Sequence, residues 1–229
     1  VVTMMVIVTA VMMIFVIPQI STLYKSLNVS LPLPTLILIG ISNFFVSFWL
    51  IPVVAIILLG FAYRRWYKTT EGRLIIDSMF LKIPIFGKLT KKTILSEFSR
   101  TLGALLASGT LVVEALGKVA NITGNIHYKN AINDVMRKVE KGITIGDAMS
   151  SYDLFPPNLV ELVKSGEQTG KLDETLTRVS EYFENEVDQV VKTLSVVMEP
   201  AILVALGVGV AFLVFSIITP IYQITSSIK

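Results

Sequence analysis

The chain has 229 residues, of which 53% are hydrophobic and only 16% charged, a balance too apolar for an ordinary soluble domain. Its net charge of +3 is too small to imply a nucleic-acid partner, and none is expected. With no cysteine and a single histidine, His127, it excludes disulfides, thiolate nucleophiles, cysteine metal clusters and any site needing two histidines from one chain.

The apolar residues are unevenly placed. Eighteen of the 20 basic residues lie between Arg64 and Lys192, with long apolar runs on either side. This is the pattern of an integral membrane protein with one water-facing domain. Residues 1–17 are almost wholly apolar and slightly short of the roughly 20 residues a span needs. Val1 opens inside that run with no start methionine or basic leader, so the expectation is a fragment truncated in or just before a membrane helix. Pro18 closes the run, and residues 18–35 form a loop with one charge, Lys25. Residues 36–63 read as a second span. It ends at Arg64, Arg65, Trp66, Tyr67 and Lys68, a basic and aromatic cluster typical of a cytoplasmic interface. Residues 196–224 read as a third span, and 225–229 as a tail. Counting basic residues near the spans predicts a cytoplasmic middle domain, 64–195, with the 18–35 loop and the tail on the outer face.

The middle domain reads as all-helical. Ile94, Leu95, Phe98, Leu102, Leu105 and Leu106 make a helical stripe over 92–108, with Gly109 as C-cap. Thr110 is placed to cap a helix reaching about Val119. Residues 126–141 form another, closed by Gly142. Thr144 to Asp147 resembles a capping box opening a short helix. A helix from Pro156 to Ser165 follows, with Gly166 as a left-handed C-cap and Gly170 freeing the turn before Leu172. The last helix is expected to run from Leu172 into the third span without a break.

The run Gly166-Glu167-Gln168-Thr169-Gly170-Lys171-Leu172 superficially suggests a phosphate loop. A phosphate loop needs four residues between its glycines, a hydroxyl residue after the lysine and a preceding strand, and all three are missing. Glu167 has two readings: a structural cap on backbone N–H groups, or a contact at a subunit or motor interface. Arg100, in a strongly apolar helix, reads as half of a structural ion pair, with Glu167 as the suggested partner. Glu199, followed by Pro200, is either an acid inside the membrane or one still hydrated at its edge. On the same segment Ala201, Ala205 and Gly209 recur every four residues, a spacing that allows close helix approach within or between chains. Charge is polarised too: residues 64–100 carry a net +6, suited to anionic headgroups, and residues 161–188 a net −5. No nucleophile constellation, zinc site, calcium loop or dinucleotide fingerprint appears, so no catalytic residue, metal or cofactor is expected.

Several short motifs occur together and in order. They are Pro32-x-Pro34-Thr35, Leu81-x-x-Pro84-x-x-Gly87, Phe98-Ser99-Arg100-Thr101-Leu102-x-x-Leu105-Leu106-x-Ser108-Gly109, Phe155-Pro156, Gly166-Glu167-x-x-Gly170-x-Leu172 and Glu199-Pro200. Together they resemble the inner-membrane platform proteins of type IV pili and type II secretion, over essentially the whole chain. Leu111 departs from the family, which often has proline there. The family's pattern has two related cytoplasmic helical domains, and this chain would hold the second.

The resemblance implies an all-α protein with three transmembrane helices and one cytoplasmic helical bundle in the bacterial inner membrane. It implies a non-enzymatic assembly platform that contacts a cytoplasmic hexameric ATPase, pilin or pseudopilin subunits and other inner-membrane machine components, and that associates with itself. Arg100, Gly166, Glu167, Gly170, Glu199 and Pro200 are the candidate coupling or structural residues. The alternative reading is a transporter or channel component, motivated by Glu199-Pro200 and the proline-bearing spans.

Overall fold

A computed structural model describes residues 50–227 and six isolated positions before them: 11, 22, 36, 40, 44 and 47. Apart from those six positions, the predicted first span, the loop after it and the second span up to residue 49 lie outside the described set, as do the last two residues. Every described element is a helix: α1 (Leu50–Tyr67), α2 (Thr70–Lys82), α3 (Pro84–Ala107), α4 (Val112–Ile122), α5 (Ile126–Glu140), α6 (Ile145–Met149), α7 (Pro157–Thr169) and α8 (Leu172–Ser227).

The chain divides into two units. One gathers Val1–Tyr63 and Val196–Lys229, and the other is Arg64–Ser195. In the first, many of the described side chains are large, apolar and exposed, among them Ile56, Leu59, Leu203 and Val208. Among the described residues, α8 is the one helix long and apolar enough to cross a membrane. It continues unbroken through Pro200, the continuity that the sequence predicts for this helix.

The second unit is a helical bundle around one core. Leu102, Leu116, Ile132, Ile145, Met149, Leu159, Val163 and Leu176 are fully buried and come from six different helices. α4 and α5 form an antiparallel hairpin, α6 and α7 pack on one another, and α2 lies against α3 and α5. Phe155, just before α7, is the aromatic hub. Its ring lies 5.8 Å from that of Phe98 and meets Tyr128 and Tyr152 edge-on at 6.2 and 6.4 Å. Burial pushes the Tyr128 hydroxyl up to about 12, and it donates to the Leu154 carbonyl at 3.1 Å.

Helix ends follow local chemistry. Gly109, Gly142 and Gly170 have positive φ, the conformation that glycine takes without strain. Thr144 caps α6 by accepting the Asp147 N–H, as the capping pattern predicts. Thr110, in contrast, caps nothing: α4 opens at Leu111, whose side chain makes no cap, and the Thr110 hydroxyl instead pairs with Ser108. α3 starts eight residues earlier than its apolar stripe indicates. Pro84 stands in its first turn, where a missing N–H is harmless, and forces Ile83 into an extended conformation that ends α2.

α3 and the first half of α8 run antiparallel. Lys92 pairs with Glu186, and the Ser96 hydroxyl donates to the Ser180 carbonyl at 3.2 Å. Farther along, a Cβ on Gly103 would stand 3.1 Å from Leu176 Cβ and 3.2 Å from the Asp173 carbonyl oxygen. Gly103 is therefore a point of close approach between the two helices.

Candidate functional site

The corner between α7 and α8 holds three of the six candidate residues. α7 buries Leu159, Val160, Val163 and Gly166 along one face. Gly166 is not the predicted C-cap, because the helix continues through it to Thr169. It is instead a point of contact, where a Cβ would meet Thr175 Oγ1 at 3.0 Å and Leu172 Cα at 3.1 Å. The left-handed residue is Gly170, at φ 69°. Its N–H reaches the Glu167 carbonyl at 3.2 Å, and that of Lys171 reaches the Gly166 carbonyl at 2.9 Å. This pair of bonds is the Schellman closure, and it satisfies carbonyls that a helix end leaves open.

Glu167 turns away from that closure and reaches α6. Its two carboxylate oxygens accept the N–H groups of Ile145 at 2.7 Å and Gly146 at 2.9 Å. A carboxylate at a helix N-terminus meets free donors and the positive end of the helix dipole. The cap is made across 22 positions of sequence rather than locally. A second tie runs alongside it, from Lys164 on α7 to Asp147 on α6 at 2.7 Å. Hydrogen bonding from Lys164, with a further bond from Thr144, holds the Asp147 carboxyl below its ordinary range. Gly146 permits the two helices to meet, since a Cβ there would stand 3.1 Å from the Lys164 nitrogen.

Arg100 does not join this corner. Phe98, Ser99 and Leu102 are buried, but Arg100 points out of α3 and is exposed. Its carboxylate neighbour is Glu184 on α8, at 4.0 Å, with both side chains about 60% exposed. The suggested Arg100–Glu167 pair is thus overturned: Glu167 is already occupied by backbone donors, and Arg100 faces α8. A solvated pair of this kind contributes little. Glu199 and Pro200 fall on the other unit, exposed on α8. Among the described residues, no group of three His, Asp or Glu side chains is placed to hold a metal.

A second site went unread in the sequence. Asp77 is buried on α2 and accepts the Ile126 N–H at 2.7 Å and the Tyr67 hydroxyl at 3.1 Å. Arg73 donates to the Gly124 carbonyl at 2.7 Å, and His127 Nε2 lies 3.1 Å from the Leu74 carbonyl oxygen. These bonds pin α2 to the opening of α5, where Asn125 caps its own helix. Burial and the nearby Asp77 charge raise the Tyr67 pKa. The available signal was one acid, Asp77, inside the apolar run from Leu74 to Leu81. Leu81-x-x-Pro84-x-x-Gly87 also acquires a meaning here. Gly87 passes so close to Leu81 that a Cβ would stand 2.4 Å from the Leu81 carbonyl oxygen. Beside the Phe155 hub, Ser150, Tyr152, Asp153, Pro157, Glu161 and Lys164 border an open pocket of about 350 Å³.

Comparison with known proteins agrees with the resemblance that the motifs carry. The family described as type II secretion system (T2SS), protein F, matches residues 98–220. The type IV pilus assembly protein PilC of Pseudomonas aeruginosa is 34% identical over 219 residues, covering 95% of this chain and 59% of that protein. PilC of Thermus thermophilus is 34% identical over 215 residues, covering 93% and 53%. The type II secretion system protein F of Aeromonas hydrophila is 26% identical over 222 residues, covering 97% and 57%. The chain spans little more than half the length of these curated relatives.

Proposed function

The chain belongs to the type II secretion system protein F family, and on that premise we propose that it is the inner-membrane platform of a type IV pilus or type II secretion machine. Its work is mechanical rather than chemical: it relays the motion of a cytoplasmic hexameric ATPase to pilin or pseudopilin subunits leaving the bilayer. In this reading residues 1–17, 36–63 and 196–224 cross the inner membrane and 64–195 face the cytoplasm. The basic excess next to the second span supports that orientation.

The observation that carries the proposal is the continuity of α8. It begins at the Gly170 corner, packs its first half on α3, and runs without a break to Ser227, with exposed apolar residues such as Leu203, Val208 and Ile218 along its second half. A force applied at the corner is transmitted along such a helix without a loop to absorb it. Gly166, Glu167 and Gly170 set where α8 begins, so the proposal assigns them to coupling. Arg100, outward on α3 beside Glu184, and Glu199-Pro200, within the apolar half of α8, are assigned contacts with other subunits. The names of the relatives support the machine: assembly of type IV pili for some, type II secretion for others.

Copurification tests it. A tagged chain solubilised from its own membrane is expected to bring down both the assembly ATPase and the pilin or pseudopilin. Recovery of neither partner, from membranes that contain both, would overturn the proposal.

A further inference from the structure

α2 is held at a fixed roll. Both of its corners are too tight for any side chain: a Cβ on Gly72 would stand 2.2 Å from the Trp66 carbonyl oxygen, and Gly87 is equally confined at the start of α3. Between the corners, Asp77, Arg73 and Leu74 are tied to residues 124–127. The helix therefore cannot rotate its remaining apolar residues into the core. It holds Ile75 (55% exposed) and Met79 (60% exposed) outward, four residues apart on one face, with Phe86 (51% exposed) on the first turn of α3.

The sequence on either side of these apolar residues is cationic. Arg64, Arg65, Lys68, Lys82, Lys88 and Lys91 are all exposed, and between Arg64 and Lys92 the one exposed acid is Glu71. Only Lys68 and Thr69 separate α2 from the apolar helix α1. Apolar side chains flanked by lysine and arginine are the composition of a helix lying in a membrane interface. Self-association through the same face would set two basic stretches against each other.

We infer that α2 and the first turn of α3 lie on the anionic surface of the bilayer. Ile75, Met79 and Phe86 enter below the headgroups, and the basic residues contact lipid phosphates. The inference rests on the membrane placement proposed above, and the test separates the two.

The chain has no cysteine, so single cysteines report position without background. The full chain carrying Met79→Cys, Phe86→Cys, Leu111→Cys or Val204→Cys is labelled with an environment-sensitive dye. It is then reconstituted into phosphatidylcholine vesicles with or without about 30% phosphatidylglycerol. Leu111 lies beyond the far end of α3 and Val204 lies in the apolar half of α8, so they serve as the aqueous and the buried controls. Brominated lipid is expected to quench positions 79 and 86 at least about twofold more than position 111, and more strongly when phosphatidylglycerol is present. Lys82→Glu with Lys88→Glu is expected to remove the gain from phosphatidylglycerol. Quenching at 79 and 86 no greater than at 111, with 204 quenched, overturns the inference and leaves the membrane placement standing. Shielding of 79 and 86 from aqueous iodide without lipid quenching also overturns it, in favour of a second copy of the chain. Absence of quenching at 204 overturns both.

Discussion

Glu167 on α7 closes the N-terminus of α6 at Ile145, its carboxylate receiving that residue's N–H at 2.7 Å and the next one, from Gly146, at 2.9 Å. The motif that looks like a loop in sequence is therefore a two-sided clamp. One side is the Gly170 turn that launches α8, and the other is the cap on α6.

Glu167→Ala leaves two partly shielded N–H groups without an acceptor. The expected cost is ~1–3 kcal/mol, read as a lower midpoint of thermal unfolding in detergent. Glu167→Gln keeps one carbonyl acceptor and is expected to lose less. In cells the alanine variant is expected to insert normally yet fail in filament assembly. Normal assembly would leave Glu167 a cap with no part in coupling.

Gly103 sets the spacing of α3 and α8. Gly103→Ala pushes a methyl group against Leu176 and the Asp173 carbonyl, and Gly103→Val adds more bulk. Overpacking of this kind costs ~1–3 kcal/mol, with valine at or above the upper end. Unfolding midpoints that fall in the order Gly, Ala, Val check this. Equal midpoints would mean that the helices can separate at no cost.

Ser99 offers a prediction of the opposite sign. Its hydroxyl is fully buried and makes no hydrogen bond. Ser99→Ala removes a desolvated polar group and is expected to leave the unfolding midpoint unchanged or raise it, within about 1 kcal/mol. A clear drop in the midpoint would show that the hydroxyl has a partner in solution.

Acid should loosen α6 from α7. The folded protein holds the Asp147 carboxyl below its ordinary 3.8, so the stability this gives is complete above that value and is lost as pH falls through the lower, folded-state pKa. Unfolding midpoints of the native chain and of Asp147→Asn, followed from pH 6 down to about 2, are expected to converge at the acid end. Parallel curves would dissociate the Lys164–Asp147 pair from stability.

Much of the bundle is legible in the sequence because its signals are local. Gly109 and Gly142 end helices where a positive φ is needed, Thr144 caps within its own turn, and the stripe from Leu95 to Leu102 marks a buried face. The tertiary signals are the ones misread. Gly166 looks like the helix end and Gly170 like the turn after it, yet the helix runs through Gly166, a packing contact, and ends at Gly170, and only the position of α8 tells them apart. Asp77 needs a partner 49 positions away. Arg100 was readable, since it stands two residues from both Phe98 and Leu102 and so on the opposite side of the helix.

α6 is only five residues long, shorter than any helix that nucleates by itself in water. It is held by the Thr144 cap, by its own buried residues and by the carboxylate of a neighbouring helix. Loss of the Glu167 cap would therefore be felt in α6 as well as at the α7–α8 corner. Ile145 and Met149, which α6 contributes to the core, would lose part of that support. One carboxylate thus makes a helix 22 positions earlier in the chain share the fate of the turn that launches α8.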